Sequence, residues 1–287
     1  MRIRSLALAL LLLFVCATVY ATGAQAAPKI SESYGPGPKE FSLATGSPGE
    51  LGLLKVLGEA FCKKEKAKLN WVKAGSGESL DLLKAKDVDM IMVHAPKAEK
   101  AALDEGWAVK HSLIGSNEFY IVGPKNDPAQ IAKAKTAADA YARIAKAEAR
   151  FYSRGDNSGT HKKELAIWKS ADISPEGGWY IVAKGFMKDT LKRADAEQGY
   201  FMTDSSTWAA EKKAVKGLAI LFRGDKVLIN TYHTLCQPEG ATPGAALAAR
   251  FIDFVGSPAG QKLIRAFGQR EFGAALYNDA AYAKQYE

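Results

Sequence analysis

Three short segments carry residue types suited to holding an anion. They are Thr45-Gly46-Ser47-Pro48-Gly49, Gly75-Ser76-Gly77 and Ser153-Arg154-Gly155-Asp156-Asn157-Ser158-Gly159-Thr160. Each joins glycine to hydroxyls where a strand pattern gives way to a helix pattern. The first N–H groups of a helix have no intrahelical partner, and the helix dipole favours negative charge there. Glycine lets the backbone approach closely, and Ser or Thr adds an O–H donor. Arg154 adds a planar, permanently charged fork. Any one loop alone is equally well explained as turn chemistry with an N-cap. All three lie at the carboxyl ends of candidate strands, where open α/β sheets bind ligands. Together they favour one shared anion site.

Other chemistry is thinly represented. The chain has no G-x-S-x-G, no H-E-x-x-H and no Walker G-x-x-x-x-G-K-[ST]. Its four histidines, His94, His111, His161 and His233, show no close metal-ligand spacing, so no metal site and no cofactor are expected. His161 either borders the ligand or is a solvated first-turn residue. Asp156 either supports the guest from behind or caps its own loop. An exported phosphatase or lyase would need a nucleophile, a metal cluster or an acid–base pair, and none stands out.

The elements that must position these loops alternate. Strand candidates fall at 40–45, 69–73, 88–93, 119–122, 151–153, 199–203, 218–222 and 227–235. Between and after them, apolar residues recur at helical spacing, as in Leu51, Leu54, Leu57 and Phe61. Further helices are expected at 129–149, 161–170, 187–197, 207–215, 243–255 and 258–267. This rhythm predicts an α/β fold with mostly parallel sheets.

Composition sets the outer limits. The 287 residues are 47% hydrophobic and 24% charged, which excludes wholesale disorder, collagen and coiled coil. At ~100–200 residues per domain, two lobes are expected. Residues 1–26 have the form of a secretory signal peptide: Arg2 and Arg4, an apolar run from Leu6 to Tyr20, then Ala24-Gln25-Ala26 before Ala27. The run is short of the ~20 residues that cross a bilayer, so cleavage after Ala26 is expected, with delivery to the periplasm. Its loss takes the formal charge from +8 to +6, with 37 basic and 31 acidic side chains remaining. That excess is modest and not interleaved with aromatics, so no nucleic acid is expected as a partner. Of 3 cysteines, Cys62 and Cys236 remain after cleavage. An oxidising compartment favours a disulfide between them; two separately buried thiols are the alternative.

The stretch from Phe151 to Glu164, containing Ser153-Arg154-Gly155-Asp156-Asn157-Ser158-Gly159-Thr160, resembles the Tup-type tungstate-binding proteins, exported solute receptors of ABC importers. Leu43-Ala44-Thr45, Gly75-Ser76-Gly77, Asp89-Met90-Ile91-Met92-Val93-His94-Ala95-Pro96, Phe119-Tyr120-Ile121-Val122-Gly123-Pro124 and Asp127-Pro128-Ala129 match in order. The likeness runs from about Phe41 to Phe267. It implies a two-lobed periplasmic binding protein fold of type II-like form, with the ligand in a cleft between lobes. One lobe would comprise 27–115 and 236–287, the other 116–235, with crossings near 115–119 and 231–235. The implied ligand residues are Thr45, Gly46, Ser47, Ser76, Gly77, Arg154, Ser158, Gly159 and Thr160, with Asp156, Asp204 and His94 behind them. The implied partners are a small oxyanion, foremost tungstate, and the membrane permease of an importer; the receptor would act as a monomer.

Two loops depart from the family pattern. Where the family has a Thr-Thr-Thr-Ser run, this chain has Thr45-Gly46-Ser47-Pro48-Gly49; where it has Asp-Arg-Gly-Thr, this chain has Asp204-Ser205-Ser206-Thr207. Molybdate, sulfate, phosphate or a small carboxylate therefore stay open as guests. Trp71, Trp107, Trp179, Tyr180 and Trp208 could line a larger pocket for a carboxylate, or form core. A carboxylate in first contact, Asp156 or Asp204, would indicate a protonated guest such as hydrogen phosphate.

Overall fold

The structure is a computed structural model that describes residues 27–287. The expected signal peptide lies outside the described residues. The elements run β1 (Ile30–Tyr34), β2 (Lys39–Thr45), α1 (Ser47–Glu50), α2 (Leu53–Glu65), β3 (Ala67–Lys73), α3 (Ser76–Lys84), β4 (Met90–Val93), α4 (Pro96–Asp104) and β5 (Val109–Pro124). They continue with α5 (Ala137–Lys146), β6 (Phe151–Ser153), α6 (Gly159–Ser170), β7 (Tyr180–Val182), α7 (Met187–Ala196), β8 (Tyr200–Asp204), α8 (Ser205–Glu211) and β9 (Leu218–Phe222). Last come β10 (Ile229–Cys236), α9 (Ala245–Gly256), α10 (Pro258–Ala266), α11 (Gln269–Phe272), β11 (Asn278–Asp279) and α12 (Ala280–Ala283).

The expected alternation is present, but the sheet is mixed rather than mostly parallel. The strand order is β1-β3-β2-β4-β10-β5-β8-β6-β7, with β9 and β11 also on β5. Pairs β2–β3, β2–β4, β6–β7 and β6–β8 are parallel. Pairs β1–β3, β10–β4, β10–β5, β5–β8 and β5–β9 are antiparallel. The central antiparallel pairs arise because the chain passes twice, in opposite directions, through the middle of the order as β5 and β10; β1 adds an antiparallel edge on β3. β5 is far longer than the expected 119–122 segment. Its first half pairs β10, with Ser116 opposite Thr231, and its second half pairs β8, with Phe119 opposite Asp204.

Side chains on either side of this strand build separate cores. One gathers Phe41, Leu54, Phe61, Trp71, Phe251 and Ile252 over β2 and β3, so the chain's two ends pack together. A smaller cluster around Ile91, Val93 and Leu235 covers the other face of those strands. A third gathers Phe119, Tyr141, Phe151, Trp168, Tyr200 and Phe201.

Two local expectations are corrected. The helix expected at 129–149 is broken: Ile131–Lys133 form a single 3-10 turn, and α5 starts only at Ala137. Asp127 accepts the N–H groups of Ile131 and Ala132, and Thr136 caps α5 through Asp139 N–H, so polar side chains interrupt the run. Cys62 and Cys236 form no disulfide. They sit on α2 and β10 as free, buried thiols inside one core, and burial pushes both up to about 11. They serve as small hydrophobes. Among the described residues no helix is long and apolar enough to cross a membrane.

Candidate anion site

Parallel strands β2, β3, β4 and β6 end on one narrow pocket. Thr45, Gly46, Ser47 and Pro48 follow β2, Gly75 and Ser76 follow β3, and Met92 and His94 come from the end of β4. Arg154 and Ser158 follow β6, and Phe186 and Tyr232 complete the lining. The space is small, about 300 Å³ counting the open mouth.

Local chemistry sets each loop. Ser158 caps α6, its Oγ accepting His161 N–H at 3.2 Å, so the helix opens at Gly159, two residues before the expected start. The N–H groups of Gly159 and Thr160 belong to that unsatisfied first turn, as those of Ser76 and Gly77 do in α3. Two glycines allow the close approach of these ends. A Cβ on Gly77 would lie 2.5 Å from the Asn157 carbonyl oxygen, and one on Gly159 2.5 Å from the His94 ring. Gly77 and Gly159 thus pack behind the pocket wall instead of lining it.

The hydroxyls divide by where their protons go. Thr45 Oγ1 donates to the Met92 carbonyl at 2.7 Å, joining β2 to β4. Thr45 lines the pocket as expected of a ligand residue, with its hydroxyl proton directed to the Met92 carbonyl. Ser76 Oγ instead accepts the His94 N–H at 3.2 Å, which leaves its own proton for the pocket. Thr160 Oγ1 is buried without a protein partner but does not line the space.

Arg154 is 4% exposed. Its Nη2 donates to Asp156 at 2.5 Å and its Nε to the Gly185 carbonyl at 3.3 Å. Its guanidinium carbon stands 5.7 Å from the Phe186 ring centre, and Lys73 Nζ stands 4.1 Å from the same centre. Asp156 also accepts Ser158 N–H at 3.1 Å. Asp204 caps α8, taking Thr207 N–H and Oγ1–H at 2.8 Å each, with Ser206 and Asn117 as further donors. Both carboxylates are turned to internal donors and neither lines the pocket. His94 does line it. Burial first, then the nearby Arg154 charge, pushes the imidazole down to about 4, so at neutral pH it offers a dipole and not a charge.

His161 is half-buried and does not line the pocket; its Nδ1 accepts Asn157 N–H at 3.1 Å. None of Trp71, Trp107, Trp179, Tyr180 or Trp208 lines the pocket. Trp71 supports it from behind, donating Nε1–H to the Thr45 carbonyl at 3.0 Å. Phe186 and Tyr232 line it without having been singled out in the sequence, and Met92 only as part of the Asp89–Pro96 stretch. Tyr232 falls in a crossing segment, its one available signal; Phe186 had none.

A mixed α/β chain with separate cores, two strands passing between them and a donor-lined pocket at the strand ends describes a solute-capturing binding protein. The chain belongs to the PBP superfamily, whose domain model it matches over residues 22–259. It is 34% identical over 241 residues to the tungstate-binding protein TupA of Peptoclostridium acidaminophilum, covering 83% of this chain and 84% of that one. Among solved structures it is similar to the tungstate ABC transporter protein of Geobacter sulfurreducens, with TM-score 0.73, 41% identity and coverage of 81% and 100%. The tungstate-binding protein TupA of Desulfovibrio alaskensis G20 aligns with TM-score 0.68, 36% identity and coverage of 84% and 98%. The resemblance carried by the third loop thus extends over most of the chain.

Proposed function

We propose that this protein is a periplasmic receptor that captures tungstate and hands it to the membrane permease of an ABC importer, without catalysing a reaction. One observation carries the choice of guest: the lining offers N–H and O–H donors and one guanidinium, and no carboxylate. A tetrahedral metal-oxide dianion has no proton at neutral pH, so it needs donors only. Hydrogen phosphate carries a proton for which the lining holds no carboxylate, so it would have only the neutral His94 ring and hydroxyl oxygens, weaker acceptors than an ionised group. The narrow space also disfavours an organic carboxylate with a side chain. Tungstate is preferred over molybdate and sulfate on the names of the relatives.

Capture would follow from closure. In this reading residues 27–115 with 236–287 form one lobe and 116–235 the other, hinged on β5 and β10. Bringing Ser76 and the α3 end against Arg154 and the α6 end replaces the anion's water shell with fixed dipoles. Calorimetry of the exported chain against tungstate, molybdate, sulfate, phosphate and acetate tests the proposal. Tungstate should bind one to one and most tightly, with phosphate weakest among the inorganic anions. Tighter binding of phosphate or acetate would overturn it.

A further inference from the structure

The fold assembles a second polar cluster that histidine spacing did not reveal. Glu99 of α4, His111 of β5 and His233 of β10 bring one ligand-type atom each within 4.8 Å of one another. We propose that they form a binding site for one divalent transition-metal ion of the zinc class.

The details fit a metal better than a plain ion pair. Glu99 is fully buried; its Oε1 takes the Ala95 N–H at 2.5 Å, which turns Oε2 toward the histidines. Oε2 lies 3.0 Å from His111 Nε2 and 2.9 Å from His233 Nδ1. His233 is 2% exposed, and its Nδ1 makes no hydrogen bond despite that proximity. The other nitrogen, Nε2, is 3.0 Å from Glu287 Oε1. A proton held on Nε2 by Glu287 leaves the Nδ1 lone pair free to ligate. A ligating histidine with its far N–H on a carboxylate is the usual arrangement behind a zinc ligand. Two imidazoles and a carboxylate are the donor set of open zinc sites, with water as the fourth ligand. The His111 side chain is 32% exposed, which gives an ion and its water a way in.

None of these residues lines the anion pocket, so the site is separate. Its place in the fold is telling: His233 follows Tyr232 and Glu99 holds the residue after His94, both pocket residues. An ion here would tie α4 to both central strands.

The test uses the metal-stripped exported chain. Zn²⁺ calorimetry should show one equivalent bound, and Co²⁺ should give the visible bands of a four-coordinate site. His111→Ala and His233→Asn should each lower Zn²⁺ affinity at least about tenfold, and Glu287→Gln about tenfold through the orientation of His233. His111→Ala, at the exposed edge, should leave tungstate affinity in metal-free buffer unchanged and serves if His233→Asn fails to fold. Absence of saturable binding in the parent chain, or binding undiminished in His111→Ala, would overturn the proposal.

Discussion

Arg154 donates to Asp156 at 2.5 Å while its side chain is 5% exposed and forms part of the pocket wall. The pair therefore does two things at once: it neutralises a buried cation and aims it. A hydrogen bond to a charged group contributes roughly 1.5–3 kcal/mol. Arg154→Ala should weaken tungstate binding by about one to two orders of magnitude, at ~1.4 kcal/mol per tenfold. Arg154→Lys should recover only part, since an ammonium lacks the planar fork. Asp156→Ala should cost less affinity but more ligand-free melting temperature, because Ser158 N–H also loses its acceptor. Calorimetry beside melting curves separates the two; equal affinity in Arg154→Ala and the parent would remove the arginine from the site.

Ser76 and Thr45 should part company. Ser76→Ala removes a hydroxyl proton free for the guest, and affinity should fall about tenfold; melting should fall as well, because the His94 N–H loses its acceptor. Thr45→Val leaves the Met92 carbonyl unpaired in the sheet. It should cost about 1–3 kcal/mol of unfolding free energy. The affinity of the folded fraction should stay within a few-fold of the parent.

Gly77→Ala should obstruct closure. The added methyl would meet the Asn157 carbonyl oxygen at 2.5 Å, and backbone does not yield as a side-chain end would. Small-angle scattering should show the parent compacting with tungstate. The variant should compact less and bind at least about tenfold more weakly. Full compaction in the variant would place Gly77 away from the closing surfaces.

Glu164 should make stability depend on pH. Burial lifts its carboxyl from 4.5 to about 7, against the opposing hydrogen bond from Tyr180. The folded chain then holds a proton that the unfolded chain has released between about 4.5 and 7. Its contribution falls as pH rises through that window and levels off above it. Urea midpoints between about pH 5 and pH 8 should decline more steeply for the parent than for Glu164→Gln, which cannot ionise. Parallel profiles would show that this carboxyl titrates normally.

The exported form should begin at Ala27. Intact-mass measurement on periplasmic protein checks it, and either a lipid on Cys16 or a retained leader would contradict the Ala24-Gln25-Ala26 site.

The anion loops and most elements were legible because their determinants are local. A Ser before a helix, a glycine at a strand end and apolar residues at a period of 3.6 act within a few positions. That placed Arg154 after β6 and put Ser76 at the head of α3. The break in the helix expected at 129–149 is local, set by Asp127 and Thr136, but the other departures come from pairing and packing that join distant segments and leave no local trace. Register across β10 and β5 put Tyr232 into the pocket and His233 beside His111. Pairing of β2 with β4 brought the Thr45 hydroxyl to the Met92 carbonyl. Packing of α2 and β10 in one core kept Cys62 and Cys236 apart as thiols. The sequence by itself determined which chemical groups face the ends of the strands. Tertiary structure decided which of those groups still have a proton or a lone pair to offer, because that depends on the neighbour each one meets.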